Sequence, residues 1–285
     1  MSWLELFFDL IFVAAVAQVA DPLREHYSLA GCLRFTFLFA LIWWAWNGYT
    51  GFATRFESDD AVQRGLTVVQ IFVVAAMAAN ARDTLDSRSA AGFVAAYAVL
   101  RLVLVAQYLR ARHLPRARHL ATSYAGGHGL AAGLWLLSAV APLHWRYALW
   151  GIAATIDFAT PWCFVHHSVR VPPESAHLPE RVGLFTLILL GEAVVAVMRG
   201  MESQDSWPVE AALAAFSGMA VLFVVWWIYF EVVDAAREQP VHGRADALRL
   251  HAWSYVHFPL YVGIVVVGVG TQRLITAAAH VAVPA

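Results

Sequence analysis

Carboxylates stand inside long apolar stretches of this chain, where a membrane helix ordinarily has none. Glu5 and Asp9 lie in the first such stretch, residues 3–13, and Glu192 lies in a second, residues 181–192. An acid at the centre of a bilayer helix costs roughly 2.5–3.5 kcal/mol on insertion scales, and such residues usually face a bundle interior or a wet cavity. These acids are therefore the first candidates for function.

Glu5 and Asp9 are four residues apart, so a helix places both on one face. Glu5 is either a functional group or a helix-start acid that interacts with the positive end of the helix dipole. Asp9 lies one turn deeper, between Phe8 and Leu10, and we expect it to make a buried hydrogen bond. Glu231 ends a later apolar segment, and we expect it to face inward beside Asp9.

Asp157 and Glu192 each lie near the middle of an apolar segment. Gly191 would let a backbone or a ligand approach Glu192 closely. Desolvation favours the neutral form of an unpaired buried carboxyl, so either acid is a candidate proton donor near neutral pH. The alternative is a structural ion pair of Asp157 or Glu192 with Arg101 or Arg34.

Aromatic side chains are dense, with 12 Trp, 17 Phe and 9 Tyr in the chain. Anchoring at the membrane interface explains many of them. The alternative is an aromatic pocket that stabilises a cation. The residues assigned to such a substrate-binding pocket are Trp43, Trp44, Trp46, Trp226, Trp227, Tyr229, Trp253, Tyr255 and His257.

Composition indicates which elements position these groups. The chain has 285 residues, is 60% hydrophobic and carries 14% charged residues. A soluble domain carries about 25% charged residues, so the deficit is typical of a polytopic membrane protein. A net charge of −1 provides no basic face for nucleic acid. Since the sequence has no HExxH, CxxC or DDxxD motif, we expect neither a metal site nor a cofactor.

Apolar runs of about 20 residues recur along the whole length, and they predict an all-α transmembrane bundle. We expect one integral-membrane domain over residues 1–285 with about nine helices. The predicted segments are 3–20, 29–52, 65–81, 90–109, 120–141, 147–165, 182–199, 208–233 and 250–270.

The chain also shows an internal repeat. Residues 41–46 (LIWWAW) match residues 224–229 (VVWWIY), and each follows an acid-bearing helix and precedes an arginine-containing loop. The spacing predicts parallel copies over about 3–81 and 182–270, related by an axis along the membrane normal. All 19 basic residues are Arg, and most of the loop arginines lie on the side of the 110–119 loop. That excess predicts a cytoplasmic amino terminus.

The strings Leu4–Val13 and Glu180–Glu192, with the Trp43-Trp44 segment and the helix His251–His257, resemble the bacterial low-temperature-requirement A (LtrA) family. The resemblance implies a multi-pass protein, here of the bacterial cytoplasmic membrane. It implies little chemistry, because the name of the family comes from a phenotype.

Two functions use such a bundle. The first, which we prefer because of the aromatic density, is a metal-independent cyclase of lipophilic isoprenoid-type substrates. In that case Asp9, Glu192 or Asp157 protonates an olefin or epoxide, and Trp and Tyr faces hold the carbocation. The alternative is a proton- or cation-coupled transporter or channel, since repeats and intramembrane acids are typical of transporters. A third hypothesis is a purely structural role. The partners are then a lipophilic molecule or an ion, together with membrane lipid, and the oligomeric state is not predicted.

Overall fold

Helices make up all the regular structure in the part of the chain that the structure describes. The structure is a computed structural model and describes residues 3–25, 27–56, 60–82, 84–85, 90–202, 208–233, 238 and 240–282. In chain order the helices are α1 (Trp3–Glu25), α2 (Leu29–Ala53), α3 (Ala61–Ala79), α4 (Ala90–Ala111), α5 (Arg118–Val140), α6 (Leu143–Cys163), α7 (Val165–Ser168), α8 (His177–Glu202), α9 (Val209–Trp227) with a π-helical turn (Ile228–Val232), and α10 (Arg244–Ala282).

The long helices coincide with the predicted apolar segments. Within the described residues nine helices have 19 residues or more, and the short α7 lies in a predicted loop. Seven of them are long and apolar enough to cross a membrane, namely α1 to α4, α8, α9 with its π-helical turn, and α10. The prediction of an all-α membrane bundle is confirmed, and the protein is an integral membrane protein.

The helix boundaries follow local chemistry with one exception. Asp60 caps α3, since its carboxylate accepts hydrogen bonds from the backbone N–H groups of Val62 and Gln63, both at 3.0 Å. The sequence predicts an end of the first segment before Pro22, but α1 continues to Glu25. A proline removes one backbone hydrogen bond, and the last turn is supported here by the side-chain pair of Arg24 with Asp21.

The first and eighth helices lie side by side and run in the same direction. Asp9 near the start of α1 bonds Arg181 near the start of α8, and Arg24 near the end of α1 bonds Glu192 farther along α8. In α1–α3, and again in α8–α10, the first helix packs against the other two. This arrangement agrees with a parallel repeat, while the limits of the two copies stay a prediction.

The middle helices form a second packing unit beside these triplets. α4, α5 and α6 pack consecutively, and α3 joins α4 to the first triplet. α9 lies at the periphery, where Leu213, Phe216 and Phe223 are 59%, 72% and 57% exposed. Exposed apolar side chains on the outer face of a membrane bundle are expected to contact lipid. The interior between α1, α2, α8, α10 and the middle unit is therefore the region where the acids are held.

Candidate functional site

Asp9 is fully buried and is held by residues of two other helices. One of its carboxylate oxygens, Oδ1, accepts hydrogen bonds from Arg181 Nη2 on α8 at 2.6 Å and from Trp46 Nε1 on α2 at 2.7 Å. Arg181 is also fully buried, and its guanidinium lies 5.4 Å from the ring centroid of Tyr49. The pair therefore joins the first helices of the two predicted copies through a desolvated charge contact.

Glu5 lies one turn from this pair, toward the start of α1. Its carboxylate is 3.9 Å from Arg181 Nη1 and 3.7 Å from His177 Nε2, and its side chain is 15% exposed. Glu5 and Asp9 thus share one helix face, as their spacing predicted, and both face Arg181. The position of Glu5 at the rim gives the buried pair a second carboxylate on the side closest to solvent.

Asp157 forms a second buried network, within the middle unit. One oxygen is 2.6 Å from His128 Nδ1 of α5, and the other accepts a hydrogen bond from the Tyr97 hydroxyl of α4 at 2.8 Å. Arg101 Nε of α4 is 3.1 Å from the second oxygen, and its guanidinium lies 4.9 Å from the Tyr97 ring centroid. The structure therefore pairs Asp157 with Arg101, which is the alternative stated above.

A glycine allows α5 to approach α6 closely at this network. A Cβ placed on Gly127 would lie 2.3 Å from the Thr160 hydroxyl oxygen, far inside van der Waals contact. Any side chain at this position pushes the two helices apart. The close approach brings His128, the next residue of α5, within hydrogen-bonding distance of Asp157 on α6.

Glu192 lies apart from both networks. It accepts a hydrogen bond from Arg24 Nη2 at 3.0 Å and lies 3.8 Å from Arg199 Nη1. Because Arg24 is in the last turn of α1, Glu192 lies toward that end of the bundle and not beside Asp9. The described contacts thus do not bring Glu192 together with Asp9 or Asp157.

The predicted aromatic residues of the two copies face different surroundings. Trp43, Trp44 and Trp46 are buried, whereas Trp227 is 51% exposed and Trp226 is half-buried. A tryptophan pair on the outside fits an interfacial or lipid-facing role. Trp226 and Trp227 therefore lie outside the buried aromatic cluster, in which Trp43 and Trp44 of the first copy pack against Tyr255 of the second.

The end of α9 differs from the expectation in a second respect. Glu231 lies in the π-helical turn and is exposed, so it does not face inward beside Asp9. Tyr229 in the same turn is buried and lies 3.0 Å from His257 Nε2 of α10, while Trp253 packs edge-on against His257. An exposed carboxylate stays solvated, so Glu231 belongs to neither buried network.

A small cavity with several polar side chains in a mainly apolar wall lies beside the Asp157 network, between α2, α5, α6 and α10. It measures about 60 Å³. At about 10–15 Å³ for each water molecule, this volume holds about four of them. His128 lines the cavity, so the imidazole that contacts Asp157 also borders it. The lining residues are Trp44, Asn47, Gly48, Gly51, Arg55, Tyr108, Tyr124, His128, Pro161, Leu178, Leu250, His251, Ser254 and Tyr255.

An aromatic cluster separates this cavity from an outer cleft between α6 and α10. Tyr255 lines both, and its ring centroid lies 5.3 Å from that of Trp44. Phe158 stacks on Trp44 at 4.4 Å, and Trp162 packs against Tyr255 at 5.4 Å. No acid is among the described residues that line the outer cleft.

Sequence reasoning named Arg101 as a possible partner of Asp157 but missed the other basic partners of the acids. It places Arg181 in a loop, gives His128 no role, and does not consider Arg55 or His251 as lining residues. A signal existed for His128, which is a lone titratable residue in the glycine-rich apolar stretch 126–129. Among the described residues no group of three or more His, Cys, Asp or Glu side chains has the geometry to hold a metal ion.

Among the described residues outside the nine long helices, Asp60 and His167 have shifted pKa values. The Arg110 guanidinium and the backbone N–H groups of Gln63 and Val62 lower the pKa of Asp60. Partial burial, followed by the positive charges of neighbouring groups, lowers the pKa of His167 below 6.5. Asp60 caps α3 and His167 lies in the short α7, both on the side where α2 ends and α3 begins, and neither borders the cavity.

The chain is similar to one family of known sequences over its whole length. A family model described as "Bacterial low temperature requirement A protein (LtrA)" matches residues 1–285. The chain is 26% identical over 281 residues to a protein of Rhizobium meliloti (strain 1021) named "Uncharacterized protein RA0937", an alignment that covers 94% of this chain and 68% of the relative. No solved structure matches the chain.

Proposed function

We propose that this chain, which belongs to the bacterial low temperature requirement A protein (LtrA) family, is a proton-coupled membrane transporter. The observation that carries the proposal is the contact between His128 and Asp157, because His128 also lines the inner cavity. Histidine is the side chain whose ordinary titration range lies closest to neutral pH, so it is suited to shuttle protons. A proton that enters the cavity therefore has a direct route to a buried carboxylate.

The ion pair of Asp157 gives that proton an effect on the structure. The side chains of Arg101 and Asp157 are 1% and 0% exposed. Charges this far from water persist only when they are paired. A proton on Asp157 removes its charge and leaves the guanidinium without a counter-ion. We infer that the Arg101 side chain then changes partners, which couples protonation to a rearrangement of α4 against α6.

The Asp9–Arg181 pair provides the second element of the proposal. It links α1 to α8, the first helices of the two copies, and both residues are fully buried. In transporters built from repeats, motion of one repeat against the other changes the accessible side. While the Asp9–Arg181 ion pair is intact, it would stabilise one arrangement of the two copies. When Asp9 takes up a proton, the pair is lost and the other arrangement becomes accessible.

The cyclase hypothesis has less support from the same geometry. Asp9 and Asp157 are each held by an arginine, so neither is a free acid against an apolar cavity. The inner cavity measures only about 60 Å³. Ligand pockets typically measure roughly 300–1,000 Å³. The outer cleft has aromatic walls but no acid among its described lining residues.

We further propose that the protein lies in the bacterial cytoplasmic membrane with its amino terminus inside. The support is the excess of arginine on the side of the 110–119 loop, which the positive-inside rule places in the cytoplasm. The cavity is lined by Arg55 just after α2 and by His251 near the start of α10, so it lies toward this cytoplasmic side.

The transport proposal is tested in liposomes that contain the purified full chain and a trapped pH-sensitive dye. A pH gradient is imposed with potassium chloride, potassium nitrate or potassium gluconate outside, and the rate of internal acidification is recorded. We expect a proton flux with at least one salt that falls tenfold or more in Asp157→Asn and in His128→Gln. The matched control is Asp60→Asn, which changes an exposed aspartate outside the spans.

Two results would contradict the proposal. One is the absence of protein-dependent proton flux with all three salts. The other is a flux that both variants retain at the wild-type rate. Size-exclusion profiles and thermal unfolding identify a variant that has failed to fold, and His128→Gln then carries the test because it leaves the Arg101–Asp157 pair in place.

A further inference from the structure

We propose that the cavity between α2, α5, α6 and α10 is a binding site for one small monovalent inorganic anion. Arg55 and His251 bind it, and Arg101 adds positive charge through the wall at Gly48. That this anion is the transported cargo rests on the function proposed above, whereas the binding itself does not.

The first argument is the charge of the lining. The described residues around the cavity include Arg55, His128 and His251 but no Asp or Glu. Arg55 donates from Nε to the Val171 carbonyl at 3.2 Å and from Nη1 to the Gly51 carbonyl at 2.5 Å, so neutral groups hold it. Among the described residues no carboxylate forms an ion pair with Arg55, so at this wall its contacts are with neutral carbonyl groups.

The second argument is a buried imidazole nitrogen at the cavity wall. His251 is only 6% exposed; its ring interacts with the backbone of Ala247 and Pro161, but its Nε2 atom makes no hydrogen bond of ordinary geometry among the described residues. A buried polar atom without a partner costs free energy, so its presence at a cavity wall points to something that it binds. In the tautomer with a proton on Nε2, His251 donates to an acceptor in the cavity, which is what an anion supplies.

The third argument is a second guanidinium behind the wall. Arg101 is 1% exposed, and its Nη1 and Nη2 atoms have no hydrogen-bond partner among the described residues. A Cβ on Gly48 would lie 2.9 Å from Nη1, so the guanidinium lies directly against the Gly48 backbone, and Gly48 lines the cavity. Arg55 thus lies in the cavity wall and Arg101 behind it, and among the described residues Asp157 supplies the carboxylate paired with Arg101, so one anion would balance the charge.

The volume of the cavity and the residues of its other walls limit the size and the charge of the anion that it can bind. A volume of about 60 Å³ has room for an ion of one to a few heavy atoms, such as chloride or nitrate, and excludes sugar acids. Ser254 donates to Asn47 Oδ1 at 2.9 Å at one wall, and the rings of Trp44 and Tyr255 form another. A polyvalent anion would exceed the positive charge available, so a monovalent one fits best.

The test measures anion binding by the purified full chain in detergent, without a membrane. Thermal unfolding is followed by tryptophan fluorescence in potassium chloride, potassium nitrate and potassium gluconate at equal ionic strength. We expect chloride or nitrate to raise the unfolding temperature in a saturable way and gluconate to leave it unchanged. Calorimetric titration with the same salts then gives the affinity.

Variants locate the site. We expect Arg55→Gln and His251→Leu each to lower the affinity tenfold or more, and Arg112→Gln, an exposed arginine of the loop after α4, to bind like the wild type. Equal responses to gluconate and chloride, or wild-type binding by both cavity variants, would overturn the proposal. If Arg55→Gln does not fold, His251→Leu decides, since it removes no charge pair.

The two proposals fail separately. Anion binding without proton flux in liposomes rejects the transporter and keeps the site. Proton flux that is independent of which anion is present, together with no binding, rejects the anion site and keeps proton-coupled transport.

Discussion

Removing the buried charges of Asp9 and Arg181 one at a time and then together tests how the first and eighth helices are joined. The variants are Asp9→Asn, Arg181→Gln and the double variant. Both side chains are 0% exposed, so Arg181→Gln leaves the Asp9 carboxylate buried without its counter-ion, and Asp9→Asn leaves Arg181 with only the more distant Glu5, at 3.9 Å. The double change removes both charges, and the amide side chains that replace them are polar, can form hydrogen bonds and are of similar size.

The magnitude follows from the geometry. Arg181 Nη2 and Asp9 Oδ1 are 2.6 Å apart. With an effective dielectric constant of about 20, the gross attraction at that distance is about 6 kcal/mol. Removing one partner of a buried pair costs about 3–5 kcal/mol, because the remaining charge is uncompensated. At about 2–4 °C per kcal/mol, each single variant should unfold about 6–20 °C below the wild type. The double variant should recover at least half of the summed loss.

The assay is thermal unfolding in detergent, followed by tryptophan fluorescence. The control cycle uses Asp60→Asn and Arg110→Gln, an exposed pair on the loop side, for which we expect little coupling because solvent screens it. If the losses of Asp9→Asn and Arg181→Gln are simply additive, the two side chains do not depend on each other. The account of the α1–α8 joint would then be refuted.

Two further predictions concern single side chains. Trp46→Phe removes one of the two donors to the buried Asp9 carboxylate, and the loss should be about 1.5–3 kcal/mol. Trp227 is 51% exposed. In the same unfolding assay Trp227→Phe should therefore stay within about 0.5 kcal/mol of the wild type, and equal losses in the two variants would contradict this. Because burial and then nearby positive charges lower the pKa of His167 below 6.5, its contribution to stability is present above that pH and is lost as the pH falls through the folded value. The unfolding temperature should thus fall less between about pH 8 and about pH 5 in His167→Gln than in the wild type, and an identical fall in both would exclude this role for the imidazole.

The positions of the helices could be predicted from the sequence because bilayer thickness sets a minimum length for an apolar run. The segment 90–109, for example, became α4 (Ala90–Ala111) with a shift of two residues at one end. Pro22 was misleading because a proline one turn before a helix end removes only one hydrogen bond. The short α7 could not be predicted, since a single turn carries no periodic apolar signal.

The acids could be found from the sequence, but of their partners only Arg101 could. Asp9 and Arg181 are 172 residues apart, and local periodicity contains no information on such a contact. Arg181 also lies at the boundary between a loop and an apolar segment, so hydropathy placed it outside. The pairing of Asp157 with Arg101 was foreseen as an alternative because both residues lie within apolar segments, where a charge needs a counter-charge.

The two copies have diverged at the position that supports the buried pair. Trp46 and Tyr229 occupy equivalent places in the matching strings, yet Trp46 donates to Asp9 on the first helix of its copy, whereas Tyr229 contacts His257 on the third helix of its own. The π-helical turn from Ile228 to Val232 accompanies this difference. Such turns occur frequently at functional sites, because they change which residues face inward. At the start of the two helices α8 therefore contributes the cation, Arg181, and α1 the carboxylate, Asp9, whereas farther along the roles are reversed and Glu192 of α8 pairs with Arg24 of α1.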